Sequence, residues 1–230
     1  MEEHRAAWLW HVHGFTFDAR VLVYTWIVMG IIVVLGLLAV RGASLKRPTG
    51  LQNAFETLLE VVGRFVGEQI HPRQQAFMEN LLAALFLFIL ASNLFGLIPG
   101  LSSPTANLNT TFGLSILVFF LVQYSGIAIT GLKGYLHHLK GPDLPFVWPV
   151  FTLINIIEEL SKPLTLSFRL YGNIFAGEIL ILLLAQIPVY LGGFIPAVAW
   201  YGFSIFVGFI QAFVFMMLTL SYVSMVTSHH

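Results

Sequence analysis

The sequence predicts an all-α integral membrane protein, with about five long hydrophobic helices and one amphipathic helix at the interface. Three observations predict it. Of 230 residues, 57% are hydrophobic and 10% charged, against about 25% charged in a soluble domain, so little surface is built for water. Uncharged runs long enough to cross a hydrocarbon core of ~30 Å recur along the chain. The charges and the Pro and Gly breakers gather in the segments between those runs.

Residues 1–20 are expected to form an outer tail. Glu2 and Glu3 stand where a secretory signal carries basic residues, so this tail does not read as a cleaved leader. Val21–Val40 is the first span, 20 residues without a charge. Arg41, Lys46, Arg47, Pro48 and Gly50 follow it. Over 51–70 the pattern changes: Glu56, Glu60, Arg64 and Glu68 recur every four residues, while Leu58, Leu59, Val62 and Val66 fill the other side. Such a helix is expected to lie on the membrane surface, the alternative being a soluble connector. The second span is placed at 81–98, ending at Pro99 and Gly100, and the third at 112–130. A polar loop from Gly131 to Pro145 carries Lys133, His137, His138, Lys140 and Asp143.

Two apolar stretches, 146–185 and 196–226, complete the chain and are separated by Pro188, Gly192, Gly193 and Pro196. As a helix, 196–226 would measure about 46 Å at 1.5 Å per residue, half as long again as the membrane core. Both final helices are therefore expected to be strongly tilted or buried along a partner.

The basic residues set the orientation. Arg41, Lys46, Arg47, Arg64 and Arg73 lie between the first two spans, and Lys133 and Lys140 follow the third. These segments are expected in the cytoplasm, with the N-terminus outside and the C-terminus inside after five crossings. The net charge of zero gives no electrostatic case for nucleic acid. Without cysteine there is no disulfide framework or thiolate metal site. His11 and His13 have metal-like spacing but lack a third ligand. His137, His138, His229 and His230 receive no role. No cofactor, metal or catalytic site of the chain's own is expected.

Ionisable groups inside a membrane segment are costly and default to functional candidates. The 146–185 stretch holds five: Glu158, Glu159, Lys162, Arg169 and Glu178. At 100° per residue, Glu158, Lys162, Thr165, Arg169 and Asn173 form one stripe, and Glu178 points about 180° away from Arg169. Pro163 interrupts the hydrogen-bond ladder and is expected to kink the helix. One helix would thus present polar groups to two wet cavities, offset around a central arginine. Arginine suits that centre because a guanidinium stays charged where an amine might release its proton. The competing reading makes Arg169 half of a structural ion pair with a nearby glutamate.

Four ordered motifs carry a family resemblance. They are SKPLTLSFRLYGNIFAGE at 161–178, FIQAFVFM at 209–216, NLFGLIP at 93–99 and PTANLN at 104–109. Together they resemble the a subunit of F-type ATP synthases across roughly residues 20 to 226. The resemblance implies a stator subunit beside a rotating ring of c subunits, contacted along the last two helices, with b subunits of the peripheral stalk as further partners. Arg169 would stand between two half-channels for protons or sodium. Asn173, Glu178 and Gln211 would line or neighbour the outer half-channel. Glu158 and Glu159 would lie towards the inner one, and Asn93, Asn107, Asn109 and Ser204 become further pathway candidates. Asn93, Asn107 and Asn109 also suit turns and caps. The chain departs from some members at Ser204, where they carry histidine, and at Asn107, where others carry aspartate. The expected location is a bacterial inner membrane. The rival function is a self-contained secondary transporter, against which the lack of internal repeats counts.

Overall fold

A computed structural model describes residues 9–12, 15–41, 50–98, 100–140, 148–186 and 194–227. It contains six helices and a short hairpin among them. The expectations attached to Lys46, His13, His229 and His230 lie outside the described residues.

The tail is not wholly irregular. Strands β1 (Leu9–Val12) and β2 (Phe15–Asp18) pair antiparallel, with Leu9 opposite Asp18 and Val12 opposite Phe15. Asp18 then caps helix α1 (Ala19–Arg41), its Oδ1 accepting the Arg20 backbone N–H at 3.1 Å. The cap explains why α1 begins before the apolar run does.

Helix α2 (Gly50–Gln69) keeps the predicted division of faces. Glu56, Glu60, Arg64 and Glu68 are all exposed, and Val62 and Val66 are buried. Those valines join the main core against helix α3 (Gln75–Gly96), so protein takes up that part of the apolar face. α3 starts six residues ahead of the predicted span. The turn before it is held by Gln75, whose Nε2 donates to the Ile70 carbonyl at 3.0 Å. The hydropathy run sets where a helix can enter lipid, not where its backbone ladder begins.

A 3-10 turn at Pro104–Ala106 leads to helix α4 (Leu108–Lys140). α4 is longer than the predicted 112–130 at both ends. Asn107 opens it, with its Oδ1 accepting the Asn109 N–H at 2.9 Å. At the far end the chain breaks direction at Gly131 (φ 71, ψ 164), a backbone region that favours glycine, and then resumes a helix. The backbone at His137 and His138 is therefore helical, which corrects the expected loop.

Helices α5 (Trp148–Ala185) and α6 (Phe194–Thr227) close the fold. Their 38 and 34 residues correspond to about 57 and 51 Å at 1.5 Å rise, well beyond a ~30 Å core. Pro163 lies inside α5, whose helical assignment continues through it. Among the described residues, five helices (α1 and α3–α6) are long and apolar enough to cross a membrane. The core runs between α2 and α6: Val66, Phe86 and Ile89 meet Val122, Leu170 and Phe215. α1 stands at its edge with most large side chains exposed, held partly by the Tyr24 ring 5.5 Å from Phe95. Between α4 and α5 the contact is made by buried small polar residues. Ser167 Oγ donates to Thr111 Oγ1 at 3.1 Å, and Ser115 Oγ to the Thr111 carbonyl at 2.8 Å. Small hydroxyl residues let membrane helices approach closely while keeping their own polar atoms satisfied.

Candidate functional site

Because α5 is continuous, its side chains are distributed by helical geometry alone. Arg169 emerges on the open side of the helix. It is exposed, and among the described residues it has no hydrogen-bond or ion-pair partner. Its neighbours one turn away on that side, Thr165 and Gly172, are exposed as well, whereas the exposed Leu164, Phe168 and Phe175 stand about 100–140° round the helix from it. A guanidinium inside a membrane segment without a partner in the chain calls for water or an anion.

The structural ion pair does exist, but it belongs to a different cation. Lys162 Nζ pairs with Glu159 Oε1, both side chains being largely buried. Gln123 Nε2 of α4 donates to the other Glu159 oxygen at 3.0 Å. The Tyr222 ring of α6 lies 5.6 Å from Lys162 Nζ, a cation–π distance. Lys162 therefore turns into the bundle, while Glu158, Thr165 and Arg169 stay exposed. The single predicted stripe divides into an open part and a closed part. Its members span about 80° of the helix surface, so a long side chain at the border goes where a partner is found.

Nine residues beyond Arg169, about 13.5 Å along the axis and half a turn round, Glu178 enters a cavity of about 510 Å³. Asn173, Ser204 and Asn93 line the same cavity, together with Ser103, Trp200 and Phe203. Four predicted residues thus come together from three helices. Asn93 is anchored on both sides: its Nδ2 donates to the Gly208 carbonyl at 3.0 Å, and its Oδ1 accepts from Thr105 Oγ1 at 3.4 Å. A Cβ at Gly208 would lie 3.2 Å from the Asn93 Cβ, so glycine allows α3 and α6 to meet there. Glu178 Oε1 accepts the Ser103 backbone N–H at 3.4 Å.

Three buried polar atoms at or beside this cavity have no protein partner among the described residues: Ser204 Oγ, Gln211 Nε2 and Ser92 Oγ, the last next to Asn93. Gln211 is seven residues from Ser204, two turns along the same face of α6. Buried donors without a protein partner are rare and mark places where water or a moving group is accommodated. Gln211 itself does not line the cavity; Gly208, less than a turn before it, does.

Asn107 and Asn109 fall elsewhere. Asn107 serves as the cap of α4, and Asn109 is exposed and follows it in that first turn. Ser103, Thr105, Gln123 and Tyr222 were not anticipated. Ser103 precedes Pro104, a turn signal, and was the one legible in principle; Gln123 and Tyr222 acquire meaning only from the helices they face.

A sequence model of the ATP synthase A chain family matches residues 22–224. The chain is 43% identical over 224 residues to the ATP synthase subunit a of Desulforamulus reducens, covering 96% of this chain and 84% of that one. Similarity to the subunit a of Solidesulfovibrio magneticus is 40% over 212 residues, covering 91% of this chain and 84% of the relative. With the subunit a of Anoxybacillus flavithermus it is 38% over 240 residues, covering 98% and 99%. With that match spanning α1 to α6, and with Arg169 and Glu178 set on opposite sides of one helix, the chain belongs to the ATP synthase A chain family.

Proposed function

We propose that Arg169 is the fixed charge against which a ring of c subunits discharges its protons, and that the Glu178 cavity is the outer access route. The general activity, proton transport for ATP synthesis by a multi-pass subunit of a bacterial ATP synthase complex, follows from the family. The residue roles rest on the site itself. The observation that carries them is an exposed arginine without a partner among the described residues, with a carboxylate cavity half a turn round the same helix.

Protons enter the cavity, pass Glu178 and neutralise a ring carboxylate, which then turns into the lipid. A protonated carboxylate returning from the other side meets Arg169. At an effective dielectric of 20, a charge pair 4 Å apart is worth about 4 kcal/mol, which favours the ionised form by about a thousandfold. The site therefore gives up its proton to the cytoplasmic side before it passes. As a fixed positive charge, Arg169 separates the two routes without bridging them. The ring packs along α5 and α6, whose exposed phenylalanines offer the apolar surface, and b subunits of the peripheral stalk bind elsewhere on the chain.

Arg169→Ala in the assembled complex tests this. ATP-driven pumping, read by acridine-dye quenching in inverted vesicles, is expected to fall below detection. Normal coupled pumping would make the arginine structural and the proposal wrong. Orientation is tested separately: cysteines at Lys46 and Lys140 should resist an impermeant maleimide on intact cells, and a cysteine at Asn107 should react.

A further inference from the structure

Gly96 ends α3, and the linker that leaves it folds back over the helix end. A Cβ on Gly96 would lie 2.6 Å from the Ser103 Cβ and 3.0 Å from the Ser103 backbone nitrogen, so only glycine admits so close an approach. Ser103 is buried there. Its hydroxyl donates to the Ser92 carbonyl at 2.9 Å, accepts the Thr105 backbone N–H at 3.3 Å and lies 2.7 Å from the Thr105 hydroxyl. Thr105 in turn holds Asn93. The side chain of Ser103 is thus used to fix the linker. Its backbone N–H remains, and it points at Glu178 Oε1, 3.4 Å away.

We propose that Gly96 and Ser103 form a positioning device for the Glu178 carboxylate, the tight glycine contact and the hydroxyl network presenting the Ser103 backbone N–H to it across the cavity. This rests on the reading of Glu178 as a proton carrier. A backbone amide suits the task. It is held by the chain, it donates only, and it does not titrate, so it orients the carboxylate without competing for the proton. Ser103 and Gly96 are positioning residues that act through Glu178.

Ser103 has φ −62 and ψ 134, angles that proline adopts. Ser103→Pro therefore deletes the N–H with little change of backbone geometry, and Ser103→Ala deletes the hydroxyl alone. Proton flux is measured in inverted vesicles of the whole complex after assembly is confirmed. Flux in Ser103→Pro is expected to be at least about threefold below that in Ser103→Ala, the effect of one lost hydrogen bond. In a Glu178→Asp background the carboxylate withdraws by one bond, about 1.5 Å. There the proline-to-alanine ratio should return to near one, because the contact is already gone. A ratio near one in the wild-type background, or the same ratio in both backgrounds, overturns the proposal and leaves Ser103 a packing residue. If Ser103→Pro fails to assemble, Gly96→Ala takes its place and must lose its effect in the same aspartate background. Normal flux in Glu178→Gln overturns the proton-carrier reading instead, so the two failures are told apart.

Discussion

Helix α5 carries two polar regions that are finished to different degrees. Around Glu159 and Lys162 each charged group finds its partner within the chain: carboxylate with ammonium, second oxygen with Gln123, ammonium over Tyr222. Around Arg169 and Glu178 the chain stops short. Among the described residues Arg169 is exposed without a partner, and Ser204 and Gln211 keep buried polar atoms without protein partners. Both regions cost free energy in a membrane. The first recovers it internally, as a structural pair would. The second leaves its groups open, as the proposed transport role requires.

That contrast is broken most directly at Arg169. Arg169→Lys preserves charge but loses the planar fork and the guaranteed protonation; pumping should fall by about two orders of magnitude or more in assembled complexes. A lysine variant pumping near the wild-type rate would reduce the arginine to a simple point charge.

Next in size is Glu178. Glu178→Gln keeps the shape and removes the titrating group, so flux should drop by about tenfold or more, the lower range of a proton-transfer contribution. Glu178→Asp should lose less. Dye quenching and ATP synthesis rates in the same vesicles check both, and unaltered flux in the glutamine variant would make the cavity incidental.

The closed region should respond in the opposite currency, stability before transport. Lys162→Met leaves Glu159 buried without its counter-ion, which costs about 3–5 kcal/mol in comparable buried pairs. Complex yield and thermal unfolding should suffer, while turnover per assembled complex changes little. Reversing both charges, Glu159→Lys with Lys162→Glu, should restore part of the yield. Loss of transport at full stability would move Glu159 from the structural region into the proton path.

The smallest effect is expected at Ser204. Its hydroxyl has no protein partner to lose, so Ser204→Ala should leave stability within about 0.5 kcal/mol and lower flux by about twofold through poorer water placement. A clear stability loss would reveal a partner supplied by the rest of the complex.

Much of this was legible in the chain itself. The membrane class, five spans, the charged face of α2 and the half-turn offset of Arg169 from Glu178 all follow from hydropathy and from 100° per residue. They are local properties, determined by backbone geometry and by the cost of charge in lipid. Asn173 and Glu178 were likewise identifiable as polar residues in an apolar run, whereas Asn93 and Ser204 entered through the family resemblance. Only the tertiary structure decided their company. Lys162 and Asn173 sit at similar borders of one helix, yet one turns to Glu159 and the other opens to the cavity, because α4 offers a carboxamide and α6 a ring at one level only. Asn107 turned out to be a cap, and Ser103, unremarked in the sequence, reached Glu178. Which partner a polar side chain finds depends on helices distant in sequence, and the direction of a long side chain is settled by that partner and not by its own position.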